Sequence, residues 1–236
     1  MKIKLKIASR LSGIFTLNRQ SISLWQAFLC VNLFLLLSGG TALAQLRAES
    51  NKILVVGDSL SAAYGIAVED GWVALLQHKI DGTRHTVDVI NASVSGDTSA
   101  NGLTRLPALL KEYSPAVVIL ELGGNDGLRG LSVKKLQQNL IQMTEAAQAQ
   151  DAQVIILGMK IPSNYGAAYT RSFSRTFVES AKSTDALLVP FFLEGLATGR
   201  EWFQSDGIHP NGKAQEVMLN NVWEVLSPVL DSLPVN

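Results

Sequence analysis

Four short polar clusters in the chain contain residue types that can carry out nucleophilic chemistry. In "KILVVGDSLSAAYG" (52–65) an apolar run stops abruptly and Ser59 follows, which indicates either a tight turn or a chemical site. The other clusters are "NASVSGDTS" (91–99), "ELGGNDGLRG" (121–130) and "SDGIHPNG" (205–212). A serine hydroxyl attacks a carbonyl carbon efficiently only when a base takes its proton and an acceptor orients that base. Asp206 and His209, in the last cluster, have the types and the spacing for such an acceptor and base.

Five apolar runs predict the strands that position these clusters. They are "KILVVG" (52–57), "TVDVIN" (86–91), "AVVILEL" (116–122), "QVIILGM" (153–159) and "ALLVPFF" (186–192). Runs of Val, Ile and Leu without polar alternation are typical of parallel strands that are covered on both faces. Helical spacing of apolar residues predicts helices within 72–80, 103–113, 133–143 and 217–226. Pro107 is expected to kink or restart the second helix.

The alternation of strands and helices predicts one three-layer α/β/α domain. Ligands in open parallel sheets bind beyond the carboxyl ends of the strands. Three of the polar clusters directly follow the first three strands, and the fourth precedes the last helix. We therefore expect all four clusters to meet at one edge of the sheet.

In chain order, the sequences "GDSL", "SGD", "GGND" and "DGIHP" resemble the motif blocks of the SGNH or GDSL hydrolases. The similarity covers nearly all of the chain after residue 44. It is greatest to exported bacterial acyl-CoA thioesterase/lysophospholipase members, which are also arylesterases. The resemblance implies the SGNH hydrolase fold, a three-layer sandwich with a flavodoxin-like five-stranded parallel sheet. No G-x-S-x-G motif occurs, which argues against the α/β-hydrolase fold.

The resemblance also implies a role for each site residue. Ser59 matches the nucleophile, and Asp206 and His209 match the other members of the catalytic triad. The oxyanion hole would consist of the backbone N–H groups of Ser59 and Gly96 and the side-chain amide of Asn125. Each such donor lowers the reaction barrier by roughly 2.7–4 kcal/mol. We also expect Ser59 to begin a helix, whose N-terminal dipole would favour the same negative charge.

Each residue also has an ordinary structural explanation, which is the better one for any residue taken alone. Ser59 can cap a helix, Asn125 and Asp206 can form Asx turns, and His209 can be a surface histidine. Capping and turns do not require a serine, an Asp-x-x-His pair, an amide and two glycines at one sheet edge. The combination therefore favours chemistry. The neighbouring carboxylates are predicted to brace loops, and they are Asp58, Asp97 and Asp126.

The loops "GLRGLSV" (127–133) and "KIPSNYGAAYT" (160–170) are expected at the same sheet edge. They could form an apolar groove for an acyl chain or be plain surface connections, and the resemblance favours the groove. The predicted substrate contacts are Leu128, Leu131, Ile161, Asn164 and Tyr165.

The predicted function is hydrolysis of small-molecule or lipid carboxylic esters and thioesters, including lysophospholipids and aryl esters, through an acyl-Ser59 intermediate. Two alternatives remain on the same fold. One is a carbohydrate O-acetyl esterase, and the other is a noncatalytic lipid- or glycan-binding domain.

Residues 1–44 have the features of a secretory signal peptide. A basic start precedes an apolar run at 24–37 and the ending "SGGTALAQ", which predicts cleavage after Ala44. The apolar run, about 14 residues, is shorter than the roughly 20 residues of a spanning helix. We therefore expect a periplasmic or secreted domain at 45–236 with no stable membrane anchor after cleavage.

Composition limits the partners and cofactors of the exported part. The chain has 20 basic and 20 acidic residues, and removing the five basic residues of the leader leaves a net charge of −5. Nucleic-acid binding is therefore not expected. Cys30, in the leader, is the only cysteine, so neither a disulfide nor a thiolate metal site is expected. No His, Asp or Glu cluster has metal-ligand spacing and no nucleotide-binding glycine motif occurs, so no metal and no cofactor are expected. His78 and His85 are expected to be solvated surface residues.

Overall fold

Five parallel strands form one sheet in the computed structural model, which describes residues 51–196 and 199–233. The strands are β1 (Lys52–Gly57), β2 (Asp88–Asn91), β3 (Val117–Glu121), β4 (Gln153–Leu157) and β5 (Leu187–Val189). Their order is β2-β1-β3-β4-β5, and every neighbouring pair is parallel. This is the flavodoxin-like order, so the predicted fold class is confirmed. The predicted signal peptide and the domain boundary at residue 45 lie outside the described residues.

Helices cover both faces of this sheet. They are α1 (Trp72–Asp81), α2 (Ser99–Tyr113), α3 (Gly124–Leu128), α4 (Val133–Gln148), α5 (Ala167–Thr184) and α6 (Gln215–Ser232). Short 3-10 turns occur at Val68–Asp70, Ser163–Tyr165, Arg200–Trp202 and Gly212–Ala214. Helix α4 packs between α2 and α5 in one layer, while α1 packs against α6 in the other. No helix within the described ranges is long and apolar enough to cross a bilayer.

The two central strands form the middle of the hydrophobic core. The side chains of β1 from Ile53 to Val56 and of β3 from Val117 to Leu120 are completely buried. Each buried Val, Leu or Ile contributes about 1.5–3 kcal/mol of hydrophobic stabilisation. The sheet reverses its strand order between β1 and β3, so its topological switch point lies where these two strands end. The polar clusters at 57–59 and 121–125 follow those two strand ends.

Helix α5 was not predicted from the sequence, which indicated only a loop after β4. Its buried face consists of Phe173, Thr176, Phe177, Ser180 and Ala181, at helical spacing. Two of these five positions are hydroxyl residues, so the apolar stripe is broken in the sequence although it is continuous in space. Hydrophobic periodicity alone cannot detect such a helix.

Two further expectations need correction. Of the two effects expected of Pro107, a restart is excluded, because α2 continues through this residue from Ser99 to Tyr113. The side chain of His85 is only 8% exposed, and its Nε2 atom lies 3.3 Å from Asp231 Oδ1 on α6. His85 is therefore not a solvated surface residue, whereas His78 is exposed as expected.

Candidate active site

The nucleophile candidate Ser59 lies in a tight turn directly after β1. A Cβ atom at Gly57 would lie 2.7 Å from both Glu121 Oε2 and Ser61 Oγ, so only glycine fits at the end of the strand. The backbone N–H of Ala62 donates to Asp58 O at 3.0 Å, and residues 59–65 form a run of turns. The expectation that Ser59 begins a helix is therefore wrong, so its own segment supplies no helix N-terminus there.

The structure brings Ser59, His209 and Asp206 into one hydrogen-bonded chain. His209 Nε2 lies 3.0 Å from Ser59 Oγ, although the two residues are 150 positions apart. His209 Nδ1 lies 2.7 Å from Asp206 Oδ2. The side chains of His209 and Asp206 are 21% and 38% exposed, so the chain opens to solvent. The sequence-based prediction that these side chains meet at the sheet edge agrees with this geometry.

Local hydrogen bonds hold Asp206 ready to orient the histidine. Asp206 Oδ1 accepts hydrogen bonds from the backbone N–H groups of Ile208 (2.9 Å) and His209 (3.0 Å). The bonds from the His209 side chain and from these two N–H groups lower the pKa of Asp206 to about 2. The carboxylate is therefore ionised at neutral pH. It is a suitable acceptor for an Nδ1–H group, which leaves the Nε2 lone pair of His209 directed at Ser59.

Gly96 lies in the loop after β2 with φ of +86°, in the left-handed region that favours glycine. Its carbonyl oxygen accepts a hydrogen bond from Arg129 Nη2 at 3.0 Å. The backbone N–H groups of Ser59 and Gly96 donate to no other residue within the part of the chain that the structure describes. Both groups are thus available to a ligand.

Asn125, on α3, is oriented by two neighbouring segments. Its Nδ2 atom donates to Asp58 Oδ2 and to the backbone carbonyl of Asp97, both at 3.0 Å. The amide therefore lies between the turn that carries Ser59 and the loop that carries Gly96. Both of its hydrogens are engaged within the protein, which the sequence did not indicate. An oxyanion would have to compete for one of them.

Comparison with known proteins identifies the family of this chain. Residues 55–217 match the model of the GDSL-like Lipase/Acylhydrolase family. The chain belongs to this family. The resemblance that the motif blocks indicated is thereby confirmed.

Named relatives of this GDSL hydrolase are esterases and thioesterases. It is 52% identical over 198 residues to esterase TesA of Pseudomonas aeruginosa, covering 83% of this chain and 98% of the relative. It is 41% identical over 184 residues to thioesterase 1/protease 1/lysophospholipase L1 of Escherichia coli, covering 78% and 87% of the two chains. The structure of the psychrotrophic esterase EstA from Pseudoalteromonas sp., inhibited by monoethylphosphonate, matches with TM-score 0.73 and 43% identity, covering 77% of this chain and 100% of that chain. The chain is therefore a carboxylic ester hydrolase.

The carboxyl groups of Asp58 and Glu121 form a buried pair beside the turn that carries Ser59. The sequence did not indicate this pair. Glu121, at the end of β3, is completely buried, and its Oε2 accepts hydrogen bonds from Asp58 N at 3.1 Å and Ser61 Oγ at 2.8 Å. Its Oε1 has no hydrogen-bond partner among the described residues. Burial, and then the nearby Asp58 carboxylate, hold the pKa of Glu121 well above its usual range. Burial also raises the pKa of Asp58 to about 6.

The sequence signal for this pair is a charged residue inside an otherwise apolar run, "AVVILEL". A single Glu in such a run is equally compatible with the solvated end of a strand. Only the three-dimensional structure shows that the side chain turns under the Ser59 loop. Glu121 thus supports the residues on both sides of the nucleophile candidate.

The other predicted braces have the expected contacts. Asp97 accepts from Arg105 Nε at 2.9 Å, and Asp126 accepts from the backbone N–H and the hydroxyl of Ser99 at 2.8 and 2.6 Å. Asp58 Oδ1 accepts from Leu60 N at 3.1 Å. All three carboxylates fix loops of the GDSL hydrolase, and none of them contacts His209 through a hydrogen bond.

The predicted substrate residues lie in two loops that touch each other. Tyr165 Oη donates to the carbonyl of Leu128 at 2.9 Å, and Tyr169 Oη donates to the carbonyl of Leu131 at 2.7 Å. Leu131 is 42% exposed and Tyr165 is 36% exposed, and Asn164 is also exposed. Ile161 is half-buried and packs against the core. The two tyrosines thus tie the end of α3 and the loop after it to the segment before α5 and to the first turn of α5, and the sequence did not indicate the contact of Tyr169.

Metal ligands are not grouped in the part of the chain that the structure covers. Within 51–196 and 199–233 no set of three or more His, Cys, Asp or Glu side chains is placed to hold a metal ion.

Proposed function

We propose that this GDSL hydrolase cleaves carboxylic esters and thioesters through an acyl intermediate on Ser59. The observation that carries the proposal is the 3.0 Å approach of His209 Nε2 to Ser59 Oγ, with Asp206 2.7 Å from the other ring nitrogen. In the first step Ser59 Oγ bonds to the substrate carbonyl carbon while His209 takes the hydroxyl proton. The tetrahedral intermediate then expels the alcohol or thiol, which receives the proton from His209. In the second half, His209 takes a proton from a water molecule whose oxygen bonds to the acyl carbon. The bond between that carbon and Ser59 Oγ then breaks, Ser59 Oγ receives the proton from His209, and the carboxylic acid leaves.

Asp206 keeps the imidazole in the tautomer that this sequence requires. Because its pKa is lowered to about 2, it stays ionised and stabilises the imidazolium that forms when His209 is protonated. The carboxylate itself takes no proton.

Three groups would receive the oxyanion of the tetrahedral intermediate. The N–H groups of Ser59 and Gly96 have no other partner among the described residues, as an oxyanion hole requires. Asn125 would supply the third hydrogen by giving up its bond to the neutral carbonyl of Asp97. A hydrogen bond to a charged oxygen is about twice as strong as one to a neutral oxygen, so the exchange favours the transition state.

For the substrate class, we propose small and lipid esters, among them lysophospholipids, aryl esters and acyl thioesters. The names of the relatives, esterase TesA and thioesterase 1/lysophospholipase L1, support this range. The exposed side chains of Leu131, Asn164 and Tyr165 would contact the acyl chain, and Leu128 and Ile161 would complete the groove.

We infer from the leader that the enzyme acts in the periplasm or outside the cell after cleavage behind Ala44. Acyl-CoA esters are cytosolic, so an exported enzyme would not meet them. Thioester cleavage would then be an activity of the enzyme but not its physiological reaction. The N-terminal sequence of protein recovered from the periplasm or the medium tests the export: a start at Gln45 supports it, and recovery of the uncleaved chain in the cytosol contradicts it.

A kinetic panel tests the function. Purified enzyme and Ser59→Ala are assayed on p-nitrophenyl esters of increasing chain length, on lysophosphatidylcholine, on an acyl thioester and on acetylated xylan. The proposal predicts turnover of the esters and the lysophospholipid that disappears in Ser59→Ala. Turnover confined to the acetylated sugar would instead establish a carbohydrate O-acetyl esterase. Folded protein without activity on any of these substrates would contradict the proposal.

A further inference from the structure

The turn that carries Ser59 and the loop that carries Asp206 and His209 are joined by one side chain, Gln204. Its Nε2 atom donates to the backbone carbonyl of Tyr64 at 2.7 Å, across 140 positions of sequence, and to the carbonyl of Pro210 at 3.1 Å. Its backbone N–H donates to the carbonyl of His209 at 2.8 Å. The residue thus contacts the chain on both sides of the Ser59–His209 pair.

The hydrogen bond from Gln204 to Tyr64 joins two segments that share one other hydrogen bond. Between residues 58–66 and 203–210, all of which the structure describes, the hydrogen bonds are Ser59–His209 itself and Gln204–Tyr64. The loop is otherwise closed on itself, by the bridge between Phe203 and Pro210 and by the Asp206 turn. Internal closure fixes the shape of the loop but not its distance from Ser59. Apart from His209 itself, Gln204 is the residue whose side chain hydrogen-bonds this loop to the Ser59 turn.

Packing around Gln204 supports the same conclusion. A Cβ atom at Gly65 would collide with Gln204 Oε1, so the turn leaves room for this side chain. The Tyr64 ring lies against the His209 imidazole, with 4.5 Å between ring centroids and 40° between the planes. The hydrogen bond to the Tyr64 carbonyl therefore also holds the ring that covers one side of His209.

We propose that Gln204 is a positioning residue for acyl transfer: its side-chain amide sets the distance between Ser59 Oγ and His209 Nε2 by tying Tyr64 to the His209 loop. The inference rests on the proposed catalytic roles of Ser59 and His209. Gln204 touches no reacting atom and acts through the two loops. A displacement of about 1 Å between reacting groups costs on the order of 100-fold in rate, so the loss of this tie affects acylation more than substrate binding.

The test compares Gln204→Ala and Gln204→Met with Gln77→Ala. Gln77 is a matched control, because its side chain also bridges backbone groups, donating to Val87 O at 3.0 Å and accepting from Val89 N at 2.6 Å, but between α1 and β2. Met keeps the length of Gln204 without its polar atoms, and Gln204 is partly exposed, so neither variant opens a buried cavity. For each protein, kcat and KM on p-nitrophenyl butyrate, the rate of labelling by a fluorophosphonate, and Tm are measured.

We expect both Gln204 variants to lose about 10- to 100-fold in kcat and in labelling rate, with KM changed less than about threefold. Gln77→Ala should lower Tm and leave kcat within about twofold. Gln204 variants that keep full kcat, or that lose activity only in proportion to Tm as the control does, would overturn the inference. So would loss of folding in both variants, because Gln204 would then be a residue of global stability. Ser59→Ala is measured in parallel. If that variant stays active, the proposed function is wrong. If Ser59→Ala is inactive while the Gln204 variants keep full activity, only the inference about Gln204 is wrong.

Discussion

Glu121 Oε2 accepts a hydrogen bond from the backbone N–H of Asp58 at 3.1 Å, so a buried carboxyl group supports the residue next to Ser59. The same oxygen accepts from Ser61 Oγ at 2.8 Å. An ionised Glu121 would lie beside Asp58 in a site closed to water, which is unfavourable for both carboxylates. The protonated form of Glu121 is therefore the one that the folded protein favours.

The first prediction concerns Glu121→Gln and the pH dependence of stability. Because the folded-state pKa of Glu121 is raised above the ordinary value of 4.5, the folded state holds a proton that the unfolded state releases as pH rises. Stability therefore falls with increasing pH from about 4.5 up to the folded-state pKa. Glutamine is shaped like the protonated acid and does not titrate. The variant should gain free energy of unfolding relative to the native protein between pH 5 and pH 8, in urea titrations at both pH values; parallel behaviour of the two proteins would contradict the protonated Glu121.

The second prediction tests the donor role of Asn125. Replacement with Ala should lower kcat by about 10²–10³-fold, the usual loss for one oxyanion-hole donor, with little change in KM. Asn221→Ala is the control, because that amide also donates to two backbone carbonyls, Phe192 O at 2.9 Å and Glu194 O at 3.0 Å, away from Ser59. Steady-state kinetics and Tm of both variants decide the matter. Equal, small effects on kcat would remove Asn125 from the oxyanion hole.

The third prediction concerns the acyl groove. Asn164→Ala combined with Tyr165→Ala should change the chain-length preference, measured on a series of p-nitrophenyl esters that runs from the acetate to the laurate. Both side chains are exposed, and Tyr165 contacts the end of α3 at Leu128. Tyr165→Phe keeps the ring and removes only the hydrogen bond to the Leu128 carbonyl. It should therefore keep more of the native preference than the double variant does. An unchanged profile in the double variant would exclude both residues from substrate binding.

The fourth prediction compares two glycines that have similar backbone conformations. Gly65 and Gly130 have φ of +76° and +63°, so alanine is strained at either position by about 1–2 kcal/mol. A Cβ at Gly130 meets no atom within 4 Å, whereas one at Gly65 collides with the Gln204 side chain. Gly65→Ala should therefore lose more free energy of unfolding than Gly130→Ala, and it should also reduce the rate of fluorophosphonate labelling. Equal stability losses in urea titrations would mean that Gln204 moves aside without cost.

How far the sequence predicts this enzyme depends on the distance between interacting residues. The central strands were predictable because Ile53–Val56 and Val117–Leu120 are continuous apolar runs, and all of these residues are buried. The hydrogen-bonded chain of Ser59, His209 and Asp206 was predictable because Ser59 directly follows β1 and the Asp206–His209 pair lies in a short motif before the last helix.

The features that escaped prediction depend on contacts between distant segments. The buried face of α5 includes Thr176 and Ser180, which have polar side chains although they are buried. Glu121 and Gln204 bond to backbone groups of Asp58 and Tyr64, 63 and 140 positions away, and a pattern of side-chain types does not identify such backbone partners. The prediction of a helix at Ser59 was wrong because Gly57, the Asp58 side chain and the hydrogen bond from Asp58 N to Glu121 stabilise a turn instead.

The most direct test of the central claim is the site and rate of covalent labelling by a fluorophosphonate, followed by peptide mass spectrometry. We expect one adduct, on the peptide that contains Ser59, formed rapidly in the native enzyme, at least about 100-fold more slowly in His209→Ala, and not at all in folded Ser59→Ala. An adduct on another residue, or equal labelling rates with and without the His209 imidazole, would contradict the claim that Ser59 and His209 act as a nucleophile and its base.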